Sequence, residues 1–157
     1  MDFTGLEINS CYKIIRKITS NSLYTTYQAQ GIFSPLFFLI KILNLTDEEI
    51  LRENFTRFRN DIVQSLNIDH SNLIKVYEIE KIEDYTFISY KYHEGQTLRE
   101  YYCAHSAFNE KEALNIMHDL LKGLNALHSA GVVHNQLNPD NILLIFQEDR
   151  LVNVKIK

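Results

Sequence analysis

A chain of 157 residues with 45% hydrophobic and 11% aromatic content can build one domain with a real core and leaves little room for a second. Its 16 Lys and Arg against 20 Asp and Glu give a formal charge of −4. That balance argues against a general nucleic-acid binder, and the apolar content argues against disorder.

The start, Met1 to Gly5, lacks the basic and apolar regions of a signal peptide. Cys11 and Cys103 form neither a disulfide framework nor a metal-ligand spacing, and read as free thiols in a reducing compartment. Tyr12 to Ala29 alternates among β-formers and predicts two strands around the polar turn Thr19-Ser20-Asn21-Ser22. Gly31 to Pro35 is a second turn. Leu36 to Leu43 then reads as a buried strand with Lys41 in its middle, far too short to span a bilayer. These features predict a soluble, cytoplasmic protein with no membrane association.

Thr46-Asp47-Glu48-Glu49 has capping-box spacing, and its acids suit a helix N-terminus. Leu51, Phe55, Phe58, Ile62 and Leu66 continue it as one apolar stripe. Ile74 to Ile79 and Tyr85 to Tyr90 predict two strands joined as a hairpin by the acidic turn at Glu83-Asp84, and Glu94-Gly95-Gln96 predicts another turn. Asn109 with Glu112 caps a second long helix. Its stripe is Leu114, Met117, Leu121, Leu124 and Leu127, and Gly131 stands at its expected stop. Val132 to His134, Ile142 to Phe146 and Leu151 to Ile156 read as short strands. The order is α+β rather than alternating βαβ, with no repeat or linker.

These landmarks, in this order, resemble the front part of a eukaryotic-type protein kinase domain from about Tyr12 to Lys157. Ile18 to Ala29 fits the register of the glycine-rich turn and its flanking strands, and Phe38-Leu39-Ile40-Lys41 is similar to the V-A-I-K strand. The helix bearing Asp61, followed by His70-Ser71-Asn72-Leu73-Ile74, resembles the helix that carries the lysine's acidic partner and its H-P-N-I exit. Ser89 to Gly95 resembles the hinge between lobes. Val133 to Asn141 resembles the catalytic loop, H-R-D-L-K-P-x-N in its family form. The resemblance implies a protein-kinase-like fold: a β-rich N-lobe with one long helix and the hinge over about residues 10–92, and the first helices and catalytic loop of the C-lobe over 93–157.

Phosphoryl transfer from ATP needs a phosphate cradle, metal neutralisation and a carboxylate at the substrate hydroxyl. In the family's terms the cradle glycines are here Thr19, Asn21 and Tyr24, and only Asn tolerates a left-handed backbone cheaply. Lys41 is the family's phosphate-binding lysine. Asp61, twenty positions on, stands where its helix glutamate would be, one methylene shorter. A structural ion pair and a nucleotide contact are equally consistent with Lys41, since a cation in an apolar strand needs some partner. Leu39 fills the small position against the adenine ring, and Thr26 replaces the usual valine. Lys91, Tyr92 and His93 would be the hinge part of an ATP site, and Asn141 the magnesium-binding asparagine. In the catalytic loop His134 is kept, whereas Asn135, Gln136 and Asn138 replace the arginine, the catalytic aspartate and the lysine. An amide has no basic oxygen near neutral pH, so Gln136 cannot do the aspartate's work. Asp140 is the nearest carboxylate that could stand in for it. His70, His93, His105, His118 and His128 show no metal-ligand spacing.

Val154 to Lys157 resembles the strand that precedes the D-F-G motif. The resemblance therefore implies a chain truncated ahead of that motif, whether by nature or as part of a longer protein. It also implies a helix at Asn109 to Ala130 left with an apolar surface open to a partner or to self-association. The expectation is a catalytically inactive pseudokinase without cofactor, a regulatory or protein-interaction module facing a protein partner or the remainder of a larger signalling protein. The alternatives are a divergent ATP- and Mg-dependent Ser/Thr kinase in a longer chain, and a switch that binds ATP without catalysis.

Overall fold

Strand alternation sorts the first half of the chain onto two faces of one sheet. The computed structural model describes residues 2–21, 24–43, 60, 62–82, 85–105 and 107–157. They divide into two units, one of residues 1–66 and 76–92, the other of residues 67–75 and 93–157. In the first unit the strands are β1 (Glu7–Ile8), β2 (Tyr12–Ser20), β3 (Tyr24–Gly31), β4 (Phe37–Leu43), β5 (Val76–Ile82) and β6 (Tyr85–Lys91). They form an antiparallel sheet in the order β1-β2-β3-β4-β6-β5.

Successive side chains point to opposite faces of a strand. Tyr27, Ala29, Phe38, Ile40, Ile42 and Phe87 share one face and pack with Ile8, Tyr12 and Ile14 into a core. The other face carries Thr26, Lys41 and Ile88 in one row across three strands, and Leu39 beside Tyr90 in the next. The strand pair around the Thr19 turn and the Lys41 strand are as the sequence predicts. β5 is a correction: it starts at Val76 rather than Ile74, because Leu73 and Ile74 pair with Ile156 in the other unit. The helix predicted from Thr46, with Asp61, lies largely outside the described residues, as does the Glu83-Asp84 turn; residues 60 and 62–65 are helical.

The second unit contains β7 (Gln96–Thr97), α1 (Leu98–Ala104), α2 (Glu110–Ser129), a short 3-10 turn at Pro139–Asn141, β8 (Ile142–Gln147) and β9 (Arg150–Ile156). β7, β8 and β9 form an antiparallel sheet in that order. The turn expected at Glu94 to Gln96 is in part the strand β7. A Cβ on Gly95 would lie 2.5 Å from the Leu144 carbonyl, so only glycine lets this segment approach β8. Helix α1 is not among the predicted elements, although Thr97 and Glu100 form a reciprocal capping box at its start.

Helix α2 begins at the predicted Asn109–Glu112 capping box and stops before Gly131, whose φ is +75°. Its buried face matches the predicted stripe at Leu127, with Leu124 packed beside it, and differs at the other three positions. Ile116, Leu120, Gly123 and Leu127 are buried, whereas Leu114, Met117 and Leu121 are exposed. The physical reason is Gly123: a Cβ there would meet the Asn72 carbonyl at 2.9 Å, so the glycine face is the one that admits residues 67–75. That segment is pinned in turn. The Asn72 amide donates to Asn153 Oδ1 at 3.0 Å and to the Val154 carbonyl at 2.9 Å, and the Lys155 ammonium donates to the carbonyls of Ser71 and Leu73. Val132 to His134 is not the predicted strand. Among the described residues no strand pairs with it, and Val132 is instead tied back to α2 through the Leu127 carbonyl. Among the described residues no helix is long and apolar enough to cross a membrane.

Candidate functional site

In the first unit the candidate residues lie on the Lys41 face. On either side of the connection between β2 and β3, polar groups bind one another. The Tyr24 N–H donates to Asn21 Oδ1 at 2.9 Å, the Asn21 N–H donates to the Tyr24 carbonyl at 3.0 Å, and the Ser20 and Thr25 hydroxyls meet at 2.8 Å. None of Thr19, Asn21 and Tyr24 takes a positive φ.

The ammonium group of Lys41 lies over two rings, 4.8 Å from the centre of Tyr24 and 5.1 Å from that of Tyr90. A cation over phenol faces is attracted by the ring quadrupole, by about 0.5–2 kcal/mol depending on desolvation. Burial, with Tyr24 adding to it, pushes the Tyr90 phenol above its ordinary range, so the ring stays neutral at physiological pH. Tyr90 is the contact that sequence reasoning missed. It is visible only through the β4–β6 register, which sets Tyr90 against Leu39, next to Lys41 on the same face. Asp61 lies outside the described residues.

The hinge residues fall elsewhere. Lys91 is opposite Phe38 and so on the core-side face, away from Lys41. The Tyr92 N–H donates to the Phe37 carbonyl at 3.2 Å, and Tyr92 and Lys91 line a groove with Pro35 and Leu36. His93 is half-buried and belongs to the second unit.

In the second unit the loop from Val133 to Asn141 is organised around the backbone of Gln136. Its N–H donates to the His134 carbonyl at 2.7 Å, and its carbonyl accepts the side-chain amides of Asn138 at 3.0 Å and Asn141 at 2.8 Å. Asn135 supplies a positive φ of 56°, which Asn tolerates. The His134 Nε2 lies 2.8 Å from the Lys157 carbonyl. A carbonyl can only accept, so Nε2 carries the proton and His134 serves as a strut between loop and strand.

The loop's carboxylate is already engaged. Arg99 Nε donates to Asp140 Oδ1 at 2.7 Å, and this hydrogen bond holds the Asp140 carboxyl below the usual carboxylate range. The Lys157 ammonium donates to the Asp140 carbonyl at 2.9 Å, and burial lowers its pKa. Arg99 and Lys157 are further contacts that sequence reasoning misses: no local sequence signal links Arg99 to a residue 41 positions away. Among the described residues no cluster of His, Cys, Asp and Glu could hold a metal.

The model of the protein kinase domain family matches residues 12–157. The chain belongs to the protein kinase family. This kinase domain is 32% identical to the serine/threonine-protein kinase PrkC of Bacillus subtilis, over 97% of the chain and 23% of that protein. It is 31% identical to the serine/threonine-protein kinase cds1 of Schizosaccharomyces pombe, over 87% of the chain and 30% of that protein. The chain thus spans less than a third of the length of these curated relatives. Among solved structures, the Mycobacterium tuberculosis PknI kinase domain superposes with a TM-score of 0.82 at 18% identity, over 98% of this chain and 59% of that one. Rad53, residues 1–466, superposes with a TM-score of 0.79 at 22% identity, over 92% of this chain and 38% of that one. These likenesses establish the kinase fold: the first unit holds the curled N-lobe sheet and the second carries the catalytic-loop segment of a partial kinase domain.

Proposed function

We propose that this kinase domain is catalytically silent and acts as a regulatory or protein-interaction module, facing a protein partner or the remainder of a larger signalling protein. The observation that carries the reading is the loop around Gln136. Phosphotransfer needs a carboxylate there to orient or deprotonate the substrate hydroxyl, and the loop's one carboxylate, Asp140, is committed to Arg99. Two further features agree. The Tyr24 ring covers the lysine that would meet the phosphates. Asn138, where the family has a lysine, holds its side-chain amide on the Gln136 carbonyl at 3.0 Å. These features weigh against phosphotransfer from an ATP–magnesium complex. Two exposed, unpaired cysteines fit a reducing, cytoplasmic setting.

A second reading, an ATP-binding switch or a divergent Ser/Thr kinase in a longer chain, is favoured by the retention of Lys41 and Asn141. The names of its relatives favour it too, as does the structure of Rad53 solved with AMP-PNP. Thermal unfolding with ATP, with and without magnesium, separates the two. The silent module shows no shift, whereas a ligand at one hundred times its dissociation constant adds about 2.7 kcal/mol. Phosphotransfer by the purified chain that disappears in Lys41→Ala would overturn the proposal.

A further inference from the structure

The turn between β3 and β4 is largely apolar, interrupted by Ser34, whose hydroxyl accepts the Leu36 N–H at 3.2 Å. Ile32, Phe33, Leu36 and Phe37 are all exposed, Phe33 at 86%, and no charged residue lies between Gly31 and Phe38. An apolar run this exposed on a water-facing turn marks a contact surface rather than a core. Beside it lies a groove of about 190 Å³ walled by Pro35, Leu36, Phe37, Phe38, Tyr77 and Tyr92. Its rings are held edge to face, Phe37 to Tyr92 at 6.4 Å and Phe38 to Tyr77 at 5.4 Å, so the walls are set before anything binds. A cavity of about 150 Å³ accepts benzene, so this groove has room for one aromatic side chain. Lys91 is the one charged side chain in its lining, and none of the ion pairs among the described residues involves it.

We infer that this groove docks an extended protein segment that presents one aromatic side chain flanked by acidic residues, the ring entering the groove and a carboxylate pairing with Lys91. The inference rests on the interaction-module reading and names the surface that such a module would use. A second copy of this chain fits less well. A two-fold contact sets the patch against itself, which brings two Lys91 groups to one interface while the 31–37 turn supplies no acid to either.

The test uses the full 157-residue chain and a displayed library of short random peptides with a fixed central phenylalanine. The expected result is enrichment of Asp and Glu beside the phenylalanine. The best synthetic peptide should bind about tenfold or more weakly to Phe37→Ser, the loss expected for one buried aromatic anchor. Lys91→Glu should reject that peptide and accept its lysine-flanked counterpart, a reversal that a merely structural residue would not produce. Circular dichroism confirms that both variants fold. Enrichment of neutral or basic flanks, no enrichment, or equal binding to Phe33→Ser, Phe37→Ser and wild type overturns the inference. So does a dimer in analytical ultracentrifugation, or flotation with phosphatidylserine vesicles, that Phe33→Ser abolishes. Phosphotransfer in the same preparation would defeat the silent-module reading and leave the peptide result standing, because the two readouts are independent.

Discussion

The ring of Tyr24 covers the ammonium group of Lys41, with 4.8 Å between nitrogen and ring centre. Both residues sit on one sheet, in strands paired by backbone hydrogen bonds. Strand pairing thus places the ring over the lysine, with the Tyr90 ring also 5.1 Å from the nitrogen. Removing the Tyr24 ring should open space at the lysine. Tyr24→Gly is expected to acquire a magnesium-dependent ATP stabilisation in thermal unfolding that wild type lacks, approaching about 2.7 kcal/mol at one hundred times the dissociation constant. Equal behaviour of the two proteins would show that the ring is no barrier.

Gln136 serves its loop through its backbone N–H and carbonyl. Gln136→Asp should therefore keep the loop intact and change unfolding free energy by no more than about 0.5 kcal/mol, as for other surface changes. Radiolabelled ATP assays of this single variant should still show no phosphotransfer, because Tyr24 continues to cover Lys41 and Asn138 still replaces the family's lysine. Activity in Gln136→Asp alone would locate the whole defect in one side chain.

Gly123→Ala sets two effects against each other. Alanine favours a helix interior over glycine by about 1 kcal/mol, while the new methyl would meet the Asn72 carbonyl at 2.9 Å. That carbonyl cannot retreat freely, since the Asn72 amide is bound to β9. Overpacking of this kind costs about 1–3 kcal/mol, so net destabilisation is expected in urea unfolding. Leu121→Ala, on the exposed face of the same helix, should change stability by less than Gly123→Ala.

Acid should loosen the start of α1. Glu100 accepts the Thr97 N–H and hydroxyl, which lowers its pKa in the folded chain. A depressed carboxyl adds stability that is present above its unfolded value, about 4.3, and is lost as pH falls through the lower folded value. Asp140, lowered by Arg99, acts in the same direction. Both pairs are largely exposed, so solvent screening keeps the effect small. Urea unfolding at stepped pH should show stability falling below about pH 4, and Glu100→Gln should flatten part of that slope.

Much of this fold could be read from local pattern. The strand pair around Thr19, the Lys41 strand and the Asn109 cap follow from alternation, turn residues and capping spacing, all of which act over a few residues. Helix α1 was within reach by the same means, because Thr97-Leu98-Arg99-Glu100 is itself a capping-box spacing; its seven residues were too short to show a stripe. The chemistry of the catalytic loop was equally legible, since the loss of a carboxylate at Gln136 is a matter of residue type.

The sequence by itself determined which elements form and which chemical groups the site possesses, because propensity, capping and functional-group identity are local properties. Only the tertiary structure decided which groups meet. Two stripes on α2 have helical spacing, and the approach of Asn72 to Gly123 selected the one that is buried. Lys41 and Lys91 both lie in or next to the resemblance to an ATP site, and strand register sent them to opposite faces. Tyr90 over Lys41 and Arg99 on Asp140 join residues far apart in sequence. Contacts of that kind are set by pairing and packing across the fold, and no local pattern encodes them.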